Sequence, residues 1–150
     1  MTRRLFLVVL LGSLSAGACR RQKGLTPPEI RFGRDVCSEC GMIISDRRFA
    51  AAAVMANGDT TVFDDIGCLL TYRQKHSPAW AAIWVHDFES QTWMDASTAR
   101  YLVSSGIRSP MGWGIAAFAD PSMAEARQRE LGGELATWDE LLARPLQRPR

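Results

Sequence analysis

An α+β fold of two tandem β-β-α-β units, with mixed or antiparallel sheets, is what this sequence predicts. Three observations carry the expectation. Asn57-Gly58 is a tight-hairpin signal, because both residues tolerate positive φ. Asp64-Asp65 and Asp120-Pro121 are helix starts. Strand–strand–helix–strand order then occurs once in each half, which favours segregated rather than alternating elements.

The elements follow in order. Arg48–Met55 and Thr60–Phe63 flank the hairpin turn as strands. Asp64 or Asp65 caps a helix running to about His76, with Ile66, Leu69 and Leu70 on one face, and Ser77-Pro78 ends it. Ala82–Phe88 has apolar residues on both faces and reads as a central strand. In the second half, Thr92–Asp95 reads as a short strand, Ser97–Ser104 as a helix and Gly112–Ala119 as a strand. Asp120 caps a helix with Pro121 at its first position, and Ser122 with Glu125 fits a capping box. That helix stops at Gly132-Gly133. Glu134–Trp138 follows as a strand, and Asp139 caps a last short helix. The resulting division is a signal segment 1–18, a linker 19–35, a first unit 36–90, a second unit 91–143 and a tail 144–150.

The 150 residues are 47% hydrophobic and 23% charged, which places the bulk of the chain among folded proteins rather than disordered ones. Net charge is +2 with no basic block, which argues against a nucleic-acid partner. Arg3 and Arg4 begin a signal segment, Leu5–Gly12 is its apolar region, and Ala16-Gly17-Ala18 is a small-residue cleavage site. The apolar stretch is short for a membrane span. Cys19 follows directly, in the manner of a bacterial lipobox, with Ala16 where Leu is commoner. Cys19 is therefore expected to be acylated, giving an exported protein anchored to a membrane and facing the periplasm. Arg20, rather than an Asp, leans the anchor towards the outer membrane. Cleavage removes two of the 18 basic residues and no acidic one, so 16 of each sign remain and acyl chains, not charge, would hold the membrane. The mature part keeps three thiols, Cys37, Cys40 and Cys68, an odd number that calls for a metal or a reactive role in an oxidising compartment.

The chemistry concentrates in Cys37-Ser38-Glu39-Cys40-Gly41-Met42. A redox pair wants a helix N-terminus, whereas Gly41 followed by Met42-Ile43-Ile44 reads as turn and strand. A zinc half-site wants two further ligands, and only Cys68, His76 and His86 remain, scattered along the chain. A disulfide across so short a loop would constrain little chain. Cu(I) accepts two or three soft ligands. Cys40 and Met42, on extended backbone, would share one face, and a thioether suits Cu(I) far better than zinc. Met111, held between Pro110 and Gly112, is a second candidate thioether, with Trp113 placed to shield a metal. Cys68, one turn into its helix, reads as a packed core thiol or else a low-pKa one, with a ligand role open. His86 reads as a hydrogen-bonded core histidine with a ligand role open, and His76 as a helix-end residue. Asp64-Asp65 is better explained by capping than by acid–base work, and no catalytic constellation emerges, so no enzyme is expected. A zinc- or disulfide-stabilised structural lipoprotein stands as the alternative.

The chain resembles the NosL family of lipoproteins. The matching residues are Cys19, Cys37-Ser-Glu-Cys-Gly-Met42, Phe63-Asp-Asp-Ile-Gly-Cys-Leu69, Trp84-Val-His-Asp-Phe88, Asp95-Ala96, Tyr101-Leu-Val103, Pro110-Met-Gly112, Ala117-Phe118, Gly132-Gly133 and Asp139-Glu140-Leu141. The resemblance implies two related β-β-α-β units and Cu(I) bound at the positions of Cys37, Cys40, Met42 and Met111. It also implies handover to the assembly machinery of nitrous oxide reductase, through a membrane transporter complex or to the reductase itself.

Overall fold

A computed structural model describes residues 25–148. Cys19 and the signal segment lie outside the described residues. After a 3-10 turn at Arg47–Phe49, the elements are β1 (Ala51–Met55), β2 (Thr60–Phe63), α1 (Ile66–His76), β3 (Trp80–His86), β4 (Trp93–Asp95), β5 (Arg100–Val103), β6 (Ile115–Phe118), α2 (Pro121–Leu131), β7 (Glu134–Ala136) and α3 (Trp138–Ala143). The fold is α+β with two antiparallel sheets, ordered β2-β1-β3-β4 and β6-β5-β7. In each sheet the first strand of a β-β-α-β unit is flanked by the second and the last. The two units thus share one topology. β4 is the addition. The sequence places it at the head of the second unit, but it pairs with β3, Val85 opposite Met94, and widens the first sheet.

Local chemistry explains most boundaries. Met55 donates its N–H to Asp59 across the Asn57-Gly58 turn, where Gly58 has φ of 93°. Asp65, not Asp64, caps α1: its carboxylate accepts from the Gly67 N–H at 2.9 Å. Ser77 closes that helix in the left-handed region. Asp120 caps α2 with Pro121 in its first turn, so the Ser122–Glu125 pair is not needed as a capping box. The capping box in the structure belongs to α3, formed by Thr137 and Glu140; Asp139 is not the cap, and β7 ends at Ala136.

Three expectations are corrected. The strand expected from Arg48 starts at Ala51, because the Asp46 carboxylate takes the Arg48 N–H and curls Arg47–Phe49 into a 3-10 turn. The helix expected at Ser97–Ser104 is instead a turn followed by β5. Asp95 binds both the backbone N–H and the hydroxyl of Ser97, an alternative to helical hydrogen bonding, and Tyr101 and Leu102 are then buried on opposite faces of a strand. The strand expected from Gly112 starts at Ile115, because the Ser109 hydroxyl oxygen accepts the Gly114 N–H and holds 109–114 as a loop.

The two sheets share one core. α1 contributes Ile66, Cys68, Leu69 and Leu70, and the first sheet Ala51, Phe63 and Val85. The second sheet and α3 add Tyr101, Ile115, Ala117, Trp138 and Leu141. The other face of the second sheet packs Leu102, Ala116 and Phe118 against Ala124 of α2 and Phe49. Both ends of the described segment join this core more than composition suggests. Ile30 is buried, and Phe32 lies edge-on to His86 under the Arg47 guanidinium, so the end of the expected linker is docked. In the expected tail, Leu146 packs on the core and the Arg148 guanidinium lies over Trp113. Among the described residues no helix is long and apolar enough to cross a membrane.

Candidate metal centre

The Cys37–Met42 segment folds as a closed turn, not as a strand. Cys37 N–H donates to Met42 O at 2.8 Å and Gly41 N–H to Cys37 O at 3.0 Å. Gly41 takes φ of 75°, a conformation that costs a residue with a Cβ about 1–2 kcal/mol. A single antiparallel bridge, Val36 to Ile43, closes the base. The expected strand alternation of Cys40 and Met42 is therefore corrected: the left-handed glycine between them breaks the period of two. Ser38 docks the turn on β2 by exchanging bonds with Val62, and Glu39 is ion-paired with Lys75 of α1.

This docking brings the turn to the N-terminus of α1. The ligating atoms of Cys37, Cys40, Asp64 and Cys68 lie within 4.8 Å of one another. Three sulfurs each about 2.3 Å from one ion sit about 4 Å apart in a plane, so small movements suffice to close these thiols on a metal. All three are free thiols; Cys37 and Cys68 are buried and Cys40 is half-buried at the rim. The Cys40 thiol donates to Asp64 Oδ1 at 3.4 Å. Asp64 is only 1% exposed, and no cationic side chain pairs with it among the described residues.

Thiol acidities diverge. The Cys68 thiol donates to the Cys37 sulfur and, with backbone N–H groups of Cys40, Asp64 and Glu39, lowers Cys37 to about 6 against the opposing effect of burial. Burial, together with the Cys37 and Asp64 charges, pushes Cys40 up to about 11. Cys68 is raised too, first because it is the donor to Cys37 and then by burial. The low-pKa thiol is thus Cys37 and not Cys68, despite the position of Cys68 in the first turn of a helix. Titration of the metal-free reduced domain is expected to show one thiolate absorbance step near pH 6, protonated below and ionised above. Cys68→Ala should move that step upward; a step that ignores both Cys37→Ser and Cys68→Ala contradicts the assignment.

The second half reaches the same helix end. Asp65 Oδ1 caps Gly67, and Oδ2 accepts the Met111 N–H at 3.1 Å. Burial raises the carboxyl pKa of Asp65, although hydrogen bonds from Ser109, Gly67 and Met111 oppose it. Asp65→Ala, which removes the cap and the tie to Met111 together, should cost about 1–2 kcal/mol in urea unfolding, and Asp65→Asn less. Equal loss in both would show that the shape of the side chain, not its acceptors, matters.

The NosL family model matches residues 31–144. This chain belongs to the NosL family. It is 26% identical to the copper-binding lipoprotein NosL of Stutzerimonas stutzeri, an alignment covering 71% of this chain and 62% of that relative. The chain thus spans under two thirds of the length of that curated relative. It also shares its fold with the crystal structure of the copper chaperone NosL from Shewanella denitrificans. There the TM-score is 0.66 and the identity 21%, covering 77% of this chain and 96% of that one.

Within this NosL domain the expected site residues divide. Cys37 and Cys40 come together. Met42 is next to them in the turn and 56% exposed. Met111 is half-buried against the core that holds the cysteines. His86 stands apart: its Nδ1 lies 2.9 Å from Ala50 O, its ring packs on Trp93, and burial lowers its pKa. Sequence reasoning left a ligand role for Cys68 open and read Asp64 only as a capping residue, whereas the structure places both beside Cys37 and Cys40. The available signal was the odd thiol count, and a cap pair followed by Cys one turn later.

Proposed function

We propose that this NosL domain is a membrane-tethered Cu(I) metallochaperone, not an enzyme, that delivers copper for assembly of the copper sites of nitrous oxide reductase. The thiol cluster at the Cys37–Met42 turn carries the reading. Thiolates and thioethers are soft donors that favour Cu(I), and Cu(I) needs only two or three of them. Cys37 and Cys40 hold the ion, with the thioethers of Met42 and Met111 as further donors. A low coordination number leaves room for an incoming ligand to displace one sulfur, so copper passes on without being released as free ion. The turn carries Val36, Met42 and Ile43, all more than half exposed, and so presents an apolar rim to a recipient. The names of the relatives support copper as the cargo. Acylated Cys19 would hold the domain to a membrane facing the periplasm, the outer membrane by preference, with the recipient a membrane transporter complex or the reductase itself.

The test is anaerobic reconstitution of the mature protein with Cu(I) and with Zn(II), repeated for Cys40→Ser and Met42→Leu. Preference for Cu(I), weakened in Cys40→Ser, is the expected result; preference for zinc, or no loss in either variant, sinks the proposal. One observation favours a second reading. Asp64 completes a set of three thiols and a carboxylate, which matches the four donors of a structural zinc site. In that case the metal-free, reduced chain would not fold. A cooperative thermal transition with a similar midpoint with and without metal removes it.

A further inference from the structure

Cys68 occupies a place in this site that its position in the sequence does not announce. It lies on α1, whose N-terminus Asp65 fixes, and its own N–H bonds Asp65 O at 2.9 Å. It is 2% exposed and Cys37 is 3% exposed, so these two sulfurs form the floor of the cluster and half-buried Cys40 its rim. The three sulfurs and a carboxylate oxygen of Asp64 lie within 4.8 Å of one another. A core cysteine serving only as a small hydrophobe has no reason to converge on two others and a buried carboxylate.

Resting on the Cu(I) reading above, we propose that Cys68 is a metal ligand, so that the resting ion is held by three thiolates from Cys37, Cys40 and Cys68 and the Met42 and Met111 thioethers act as donors during capture and handover. Two of the three come from a turn and one from a helix, so metal binding ties the turn to α1. Cys37 and Cys68 are closed off from solvent, and an incoming ligand meets the ion from the Cys40 side.

The test uses the reduced mature protein loaded anaerobically with Cu(I) alone. X-ray absorption should count three sulfurs at thiolate distance, and the count should stay at three in the Met42→Leu, Met111→Leu double variant, where no thioether from either residue remains. In Cys68→Ala the count should fall to two. Its Cu(I) affinity against a bicinchoninate-type competitor should fall by about tenfold or more, while circular dichroism stays that of the wild type. Unchanged affinity and sulfur count in folded Cys68→Ala overturn the assignment and leave the Cu(I) reading standing. Failure of the wild type itself to take up Cu(I) overturns both. The double variant's count decides the matter even if Cys68→Ala does not fold: a count of two in that variant overturns the proposal.

Discussion

Cys37→Ser is expected to lower Cu(I) affinity by at least about a hundredfold, close to 2.7 kcal/mol, with the fold retained. Cys37 is the most acidic of the thiols: the Cys68 thiol, then the backbone N–H groups of Cys40, Asp64 and Glu39, favour its anion and bring it to about 6 against burial. A sulfur anion is thus favoured at neutral pH, so no proton has to leave Cys37 before the metal arrives. Serine keeps the shape and can accept the same N–H bonds, so the buried position does not become an unsatisfied one. What it loses is softness: a neutral hydroxyl oxygen is a poor donor for Cu(I). The measurement is competition with a colorimetric Cu(I) chelator, alongside thermal unfolding of the metal-free protein. Loss of fold without metal would instead mark Cys37 as structural, and unchanged affinity would remove it from the site.

Gly67→Ala should destabilise the domain by about 2 kcal/mol, although alanine is the better helix former. A Cβ at residue 67 would lie 1.9 Å from Trp113 Cγ and 2.4 Å from its Cβ. Such overpacking costs typically about 1–3 kcal/mol, and here the clash is with the root of the indole, which cannot swing clear by rotating its tip. The gain in helix propensity returns at most about 1 kcal/mol. Trp113 must therefore retreat from α1, and it takes the 109–114 loop with it. Because Met111 is fastened to Asp65 two residues before Gly67, the effect should reach the metal centre. A midpoint lower by roughly 5–10 °C and a shifted tryptophan emission are the expected readouts. A variant as stable as the wild type would mean that the loop is not held against α1.

Much of this architecture was legible along the chain because it is set by neighbours in sequence. Asn57-Gly58, Asp65 before Ile66, Asp120-Pro121 and Gly132-Gly133 each act through hydrogen bonds or φ values within a few residues. The apolar positions of α1 likewise point inward as their spacing requires. The expected helix at Ser97–Ser104 failed where propensity met tertiary burial. Tyr101 and Leu102 are claimed by opposite cores, and the Tyr101 hydroxyl donates to Ala96 O at 2.7 Å. The docked ends were also hidden, since polar and proline-rich composition says nothing of the partner that Phe32 or Leu146 finds.

The same division runs through the metal centre. By itself the sequence determined that Cys37 and Cys40 form a pair that one ion can bridge, because a two-residue spacing brings them together in any turn. It also placed Asp64 just ahead of a helix cap and Cys68 in the first turn of that helix, four residues apart. Only the tertiary structure decided that these two pairs are one site. Ser38 on Val62 and Glu39 on Lys75 set the turn against β2 and α1, and that contact spans more than 20 residues of chain. No local spacing encodes it. It follows from burying the shared core, which closes the turn over the helix end and turns a core cysteine into a third thiol facing the first two.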